Sequence, residues 1–270
     1  VYERPFEVEI VSLENAPVTK ENTNPSGRHL SGCRIGFDAG GSDRKVSAVI
    51  DGEPVYSEEV VWFPKTTSDP QYHYDGILTA MKTAASYMPR VDAIGVSSAG
   101  VYVDNRIMVA SLFLKVSDED FDKKVKNMYL DVAKELGENI PIEVANDGDV
   151  TALAGAMDLD DNSVLGVAMG TSEAGGYVDA AGNITGWLNE LAFVPCDYNE
   201  DAMVDEWSGD YGCGVKYFSQ DGVIKLAAEA GIALDDALSP AEKLKIVQKL
   251  HEDGDKRAEG IFETIGVYFG

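Results

Sequence analysis

The sequence predicts an α/β protein of two lobes, and three observations carry that expectation. Apolar strand patterns alternate with amphipathic helical ones along most of the chain. A passage of strand, glycine-rich turn and strand occurs twice, once in each half. At 270 residues a single core begins to divide in two, with about 70 to 75% of the unfolded surface buried.

The elements follow in order. Residues 1–32 lack clear periodicity, and Lys20 to Gly27 is polar, so this stretch reads as an extended arm or loop. From Cys33 the pattern sharpens into a strand (Ile35, Phe37), a Gly40-Gly41 turn, an alternating strand (Val46, Ala48, Ile50), Asp51-Gly52, and a strand to Phe63. Asp-Gly between alternating strands marks a hairpin, because both turn residues take positive φ. Ile77, Leu78, Met81, Ala84, Ala85 and Met88 have helical spacing, stopped by Pro89, and Ala93 to Ser97 reads as a buried strand. Ser117 is an expected N-cap for a helix striped by Phe121, Val125, Met128, Val132 and Leu136 and ended by Gly137. Strand Ile142 to Ala145, a small-residue helix from Val150 to Met157 and strand Val164 to Met169 come next. A glycine-rich turn, Gly170 to Gly176, and a short strand pair follow, and the remainder reads as three helices.

Composition narrows the functional classes. Twenty-two Lys+Arg against 47 Asp+Glu give a net charge of −25, which repels polyanions, so neither nucleic acid nor a membrane surface is an expected partner. The longest apolar runs fall far short of the roughly 20 residues that span a bilayer. Three cysteines without CxxC spacing suit a reducing compartment. The expectation is a cytoplasmic, soluble protein.

Three places can carry chemistry. Asp38-Ala39-Gly40-Gly41-Ser42-Asp43 ends a strand inside a hairpin, where successive N–H groups form a nest for phosphate oxygens and Asp38 can hold a hydrated Mg²⁺. The plainer alternative is a tight turn after a strand. Gly170-Thr171-Ser172-Glu173-Ala174-Gly175-Gly176 has the same character, with a hydroxyl at Thr171; two such loops suggest a clamped phosphate. Asn146-Asp147 follows a buried strand, so its carboxylate can take a proton from a substrate hydroxyl; the alternative is a helix N-cap.

Taken in order, these stations resemble the ROK family of sugar kinases, within the actin-like/sugar-kinase/Hsp70 ATPase superfamily, from about Ile35 to Gly270. The family's DxGGT opening is matched by Asp38, Gly40, Gly41 and Ser42, and the stretch from Ser97 to Asp104 resembles its glycine-proline sugar loop. Asn146-Asp147 resembles the NDxxAAxxGE segment, Gly170-Thr171 with Gly175-Gly176 the second phosphate loop, and Glu190 falls at the Glu of GExGH. The resemblance implies a two-lobed actin-like (ribonuclease H-like) ATPase fold with a central cleft. Its expected domains are an arm over 1–32, a small N-terminal lobe over 33–145 and a larger C-terminal lobe over 146–270, which the family extends by several dozen residues carrying an adenosine contact. It also implies ATP and Mg²⁺ as cofactors and Asp147 as catalytic base. Ser98, Gly100, Asn146, Asp147 and Glu190 would contact the sugar. Asp38 would sit near Mg²⁺, and Gly40, Gly41, Ser42, Lys45, Gly170, Thr171 and Gly175 would surround the phosphates.

The departures bear on function. Where the family has His and a zinc site of one His and three Cys, this chain has Phe193, Cys196 and Cys213. Such a donor set does not complete a tetrahedral site, so no zinc is expected, and the lost His opens the preference to sugars other than free glucose. The arm is too short and too acidic for the winged helix of family repressors. The leading expectation is a hexose or amino-sugar kinase, with a homodimer left open. The alternative is a non-catalytic sugar or nucleotide sensor, and an ATPase acting on a protein is a third reading. His29, His73 and His251 lack metal spacing. Asp158, Asp160 and Asp161 lack the Gly and Glu of a calcium loop, and Leu244, Val247 and Leu250 read as helix core. Trp62, Trp187 and Trp207 are expected to pack, with Trp187 near enough to Glu190 in sequence to line a sugar site.

Overall fold

The computed structural model describes residues 3–18, 20, 23–206 and 208–270; Trp207 and five positions of the expected arm (1, 2, 19, 21 and 22) lie outside the described residues. The polar dipeptide β1 (Thr23–Asn24) is followed by three longer strands, β2 (Cys33–Ala39), β3 (Asp43–Ile50) and β4 (Glu53–Val61). The last two are joined at Asp51 and Gly52, whose φ values of 49° and 89° are those the sequence pattern requires. Asp69 caps α1 (Pro70–Ala85) by accepting the Gln71 N–H, Pro70 occupies its first turn, and Ile77, Ala80, Met81 and Ala84 form its buried stripe. Then come β5 (Ala93–Ser98) and a small hairpin, β6 (Val101–Val103) and β7 (Arg106–Val109), turned by Asp104 and Asn105 at positive φ.

Ser117 caps α2 (Asp118–Asp120), as expected, but the helix is not continuous with α3 (Met128–Leu136). A π-helical turn, Phe121–Val125, intervenes, and the wider turn keeps Val125, Met128 and Val132 all inside one core. Strand β8 (Ile142–Asn146) runs into α4 (Asp147–Leu159), and β9 (Val164–Met169), β10 (Glu173–Val178) and β11 (Ile184–Thr185) follow. The C-terminal helices are α5 (Gln220–Glu229), α6 (Pro240–Glu252) and α7 (Lys256–Phe269). Among the described residues no helix is long and apolar enough to cross a membrane.

Two sequence expectations change here. Thr23–Asn24, read as loop, pairs antiparallel with β11 in the register Thr23↔Thr185, Asn24↔Ile184; pairing with a distant strand has no local signature. The turn read from Gly170 to Gly176 is shorter. Only Gly170 to Ser172 turn, and Gly175 and Gly176 are strand residues of β10.

The chain divides into two units: Val1–Val164 with Gly176–Leu188, and Leu165–Gly175 with Asn189–Gly270. In the first, a five-stranded sheet of order β4-β3-β2-β5-β8 buries Cys33, Ile35, Phe37 and Ala39 against α1 and α3. A smaller core in the same unit packs Ala152 and Ala156 of α4 against Val178 and Ile184. In the second unit α5, α6 and α7 share a core that includes Val223, Ala227, Val247, Ala258 and Ile261; Val247 is buried there while Leu244 and Leu250 are partly buried against it, so this stripe is helix core.

Candidate functional site

Strands β2, β5 and β8 are parallel, in registers that set Asp38 beside Ser97 and Ser98 beside Asn146. Their carboxyl ends therefore bring three sequence-distant stations to one edge of the sheet, where open α/β sheets bind ligands. Ser97 Oγ donates to Asp38 Oδ1 at 2.8 Å, fixing a carboxylate that stays accessible. Lys45, directly across the hairpin from Asp38, is 4.0 Å from it but pairs at 2.6 Å with Asp43 Oδ1.

The glycine turn is held from behind by Trp62, which is buried and donates from Nε1 to the Gly40 carbonyl at 2.8 Å. A side chain at Gly40 would stand 2.7 Å from the Asp43 carbonyl, and one at Gly41 would meet Lys65 Cε at 2.8 Å. Lys65, in the turn Pro64–Thr66, thus lies over the glycine turn and was missed from the sequence; a single Lys in a Phe-Pro-Lys-Thr stretch carries no motif.

Asn146 is the N-cap of α4: its Oδ1 accepts the Gly148 N–H at 2.8 Å, and its Nδ2 donates to the Gly100 carbonyl at 2.9 Å. The N-cap reading of this pair holds, and the cap fixes the backbone from which Asp147 projects. Burial pushes the Asp147 carboxyl above the ordinary carboxylate range, the Asp38 charge adds to that, and the Gly148 N–H and Lys65 oppose it. Asp38 and Lys65 therefore lie within electrostatic reach of Asp147. Ser98 differs from its expected role. It is fully buried, its hydroxyl accepting from Tyr129 Oη at 3.1 Å, inside the core.

Beside Asn146 the first unit has a pocket of about 430 Å³, lined by the β6–β7 hairpin, β8, β1 and the residues from Ile184 to Leu188. Gly100, with φ 142°, lies at its base, where a side chain would strike the Val109 carbonyl. Trp187, expected to pack, is 49% exposed and stacks on Tyr177 with ring centroids 5.5 Å apart.

In the second unit Gly170 N–H bonds to the Ser172 carbonyl at 2.9 Å, and the Gln220 N–H at the start of α5 reaches the Gly170 carbonyl at 2.9 Å. Gly170, exposed Thr171 and Ser172 thus lie by a helix N-terminus, a setting suited to anions. Gly175 is buried, and a side chain there would meet Leu191 Cδ1 at 2.8 Å and the Asn189 carbonyl at 3.1 Å. Its evident work is to let β10 lie against the segment that carries Glu190, which is exposed just before the turn Leu191–Phe193. Glu173 was not singled out and is unusual. It is 5% exposed, its Oε2 has no hydrogen-bond partner among the described residues, and burial pushes its pKa up to about 7.

Where the resembled family holds zinc, this chain has Phe193, Cys196 and Cys213. Cys196 and Cys213 are free thiols, Phe193 packs with the Ala192, Cys213 and Val215 cluster, and among the described residues no three His, Cys, Asp or Glu side chains are grouped to hold a metal. A hydrated Mg²⁺ asks for less, since it keeps most of its waters and takes one or two carboxylates. Asp38, accessible and oriented by Ser97, fits that demand.

Similar folds occur among solved structures. A ROK family glucokinase from Streptomyces griseus, in complex with glucose and AMPPNP, superposes with a TM-score of 0.65 at 19% identity, covering 88% of this chain and 76% of that one. The chain has the ROK sugar-kinase fold. A ROK hexokinase from Thermus thermophilus has a TM-score of 0.58 at 18% identity, covering 87% of this chain and 74% of that one. A ROK family transcriptional regulator, a homologue of the E. coli MLC protein, has 0.62 at 16% identity, covering 89% and 61%. So the ROK fold here has both kinase and regulator neighbours. No protein-family model and no curated protein matches the chain.

Proposed function

We propose that the protein is a cytoplasmic kinase that transfers the γ-phosphoryl group of Mg·ATP to a hydroxyl of a hexose or amino sugar. The observation that supports this reading is that Asp38 and Asp147 come to the carboxyl ends of parallel strands in one sheet, with Lys65 over the glycine turn and the Asp147 carboxyl raised chiefly by burial. Asp147 takes the proton of the attacking hydroxyl; a raised carboxyl is a better base, provided it is ionised at the working pH. Asn146 fixes that carboxylate by capping α4 and, through the Gly100 carbonyl, holds the sugar loop in place. Backbone N–H groups of the Gly40-Gly41-Ser42 turn would hold phosphate oxygens, and Lys65, close over Gly41, would supply a cation. In the second unit, the Gly170-Thr171 turn at the α5 N-terminus is by itself an element suited to an anion. Asp38 would hold Mg²⁺ through water; when bound, the cation neutralises charge on the phosphate oxygens. Net charge of −25 supports a small neutral acceptor over nucleic acid.

A non-catalytic sugar sensor is the second reading, supported by the regulator among the similar folds. ADP release from Mg·ATP across hexoses, amino sugars and N-acylated amino sugars separates the two. A sugar-dependent signal that disappears in Asp147→Asn establishes the kinase. Sugar binding without any ADP release establishes the sensor.

A further inference from the structure

The buried histidine of α1 stands outside the candidate site, yet it holds one of the site's elements. His73 is fully buried, and a polar ring in a core costs desolvation unless its nitrogens find partners. Its partners are backbone carbonyls from three places. Nε2 lies 3.0 Å from the Pro64 carbonyl and 3.2 Å from the Leu112 carbonyl, and Nδ1 lies 3.1 Å from the carbonyl of Asp69, the α1 cap. A carbonyl only accepts, so an N–H at Nε2 is the donor that the Pro64 and Leu112 oxygens share. One ring thereby ties the turn Pro64–Thr66 to the turn Ser111–Phe113. Phe113 tilts against the imidazole with centroids 4.9 Å apart, and Trp62 meets it edge-on at 6.2 Å, so rings on two sides fix its plane.

What this tie holds is Lys65. Lys45 is steered by its own ion pair with Asp43, whereas Lys65 is exposed, so the backbone of its turn sets where its ammonium can reach. The residues before it are each fastened. Trp62 donates to the Gly40 carbonyl at 2.8 Å, and the Phe63 N–H donates to Tyr72 Oη of α1 at 2.9 Å. Pro64 has no N–H, so its carbonyl is the one backbone polar group by which it can be held. That oxygen closes the turn on the Thr67 N–H at 3.3 Å and has the shorter contact with His73. A leucine in place of His73 would be cheaper to bury but could not donate to that oxygen.

We propose that His73 is a positioning residue: by holding the Pro64 carbonyl it sets Lys65 over the Gly40-Gly41 turn, where the ammonium meets the phosphates of the nucleotide. The proposal deepens the kinase reading and rests on it only for what Lys65 meets. The first test is a double-mutant cycle of His73→Leu and Lys65→Met, each variant checked for folding by thermal melt and titrated calorimetrically with Mg·AMPPNP. Lys65→Met should weaken binding roughly fivefold to tenfold, the worth of one charge-assisted hydrogen bond, and His73→Leu roughly threefold. In the double variant His73→Leu should add nothing, because its effect passes through Lys65. His73→Gln, whose amide nitrogen stands about where Nε2 does, should restore most of the affinity, and His73→Asn, which matches only Nδ1, should not. The second test needs no nucleotide. Acetylation of Lys65 in the unliganded protein, followed by mass spectrometry, should run roughly twofold faster or more in His73→Leu once the turn is free to open, return to the wild-type rate in His73→Gln, and leave Lys45 unchanged. Should His73→Leu fail to fold, His73→Asn carries both comparisons, since it too lacks the Nε2 donor. Additive effects in the cycle, or an unchanged Lys65 acetylation rate in the folded variant, would each overturn the proposal. Absence of Mg·AMPPNP binding by wild type would overturn the kinase reading, and the acetylation rates would then decide the role of His73 by themselves.

Discussion

Asp147 and Glu173 are both carboxylates that burial pushes upward, and the protein surrounds them in opposite ways. Asp147 accepts the Gly148 N–H and lies within the influence of Lys65, so part of its desolvation is offset. Glu173 has burial as its sole cause, reaches about 7, and leaves Oε2 without a partner among the described residues. The difference separates use from burden. In the role proposed for Asp147, a nearby donor and cation would ease its ionisation, whereas an uncompensated buried carboxylate weakens the fold when it ionises.

Five substitutions sharpen or break that contrast. Asp147→Asn should lower sugar-dependent turnover about 10³-fold, on the order of 4 kcal/mol of transition-state stabilisation, with the melting temperature little changed; wild-type rates would remove Asp147 from the base role. Glu173→Met should act on stability. The folded pKa of Glu173, about 7, lies above its ordinary 4.5, so its contribution is full below pH 4.5 and is lost as pH rises through 7, up to about 3 kcal/mol. Denaturant melts should therefore find the Met variant more stable than wild type at pH 8, with the gap closing towards pH 5. An equal gap at both pH values would mean that Glu173 does not ionise in this range.

Gly176→Ala tests the packing beneath Asp147. Its Cβ would fall inside van der Waals contact of the Gly148 carbonyl in the first turn of α4, so a loss of about 1 to 3 kcal/mol in stability should accompany reduced turnover. A stable, fully active variant would show that α4 shifts freely. Lys65→Met has the smallest effect. Lys65 holds the Asp147 carboxyl down, so its loss should move the acid limb of the pH–rate profile to higher pH. Lys45→Met should leave that limb in place, because Lys45 is paired with Asp43.

The glycine segments show how far the sequence could be read. Gly40-Gly41 and Gly170 to Gly176 look alike on paper, and both were read as phosphate loops. The first is a turn so closely covered by the Asp43 carbonyl and Lys65 that a side chain at either glycine would clash. In the second, Gly175 and Gly176 belong to a strand and let it approach Leu191 and α4. Ser98 likewise stands in the sugar-loop pattern yet spends its hydroxyl on Tyr129 in the core. A motif records which residues are small or polar; it does not record which way a strand turns them.

What the sequence determined by itself is what depends on neighbours in the chain. The Asp51-Gly52 hairpin needs positive φ at two adjacent residues, and the caps at Asp69, Ser117 and Asn146 need an oxygen two or three residues from a free N–H. The order of strands and helices follows from periodicities of two and 3.6. Only the tertiary structure decided that Lys65 lies over Gly41, that Thr23–Asn24 pairs with β11 and reaches Glu143, and that the buried Glu173 Oε2 has no hydrogen-bond partner among the described residues. Those contacts join residues far apart in the chain, and they are set by strand register and side-chain packing once the cores have formed, to which no local preference contributes a signal.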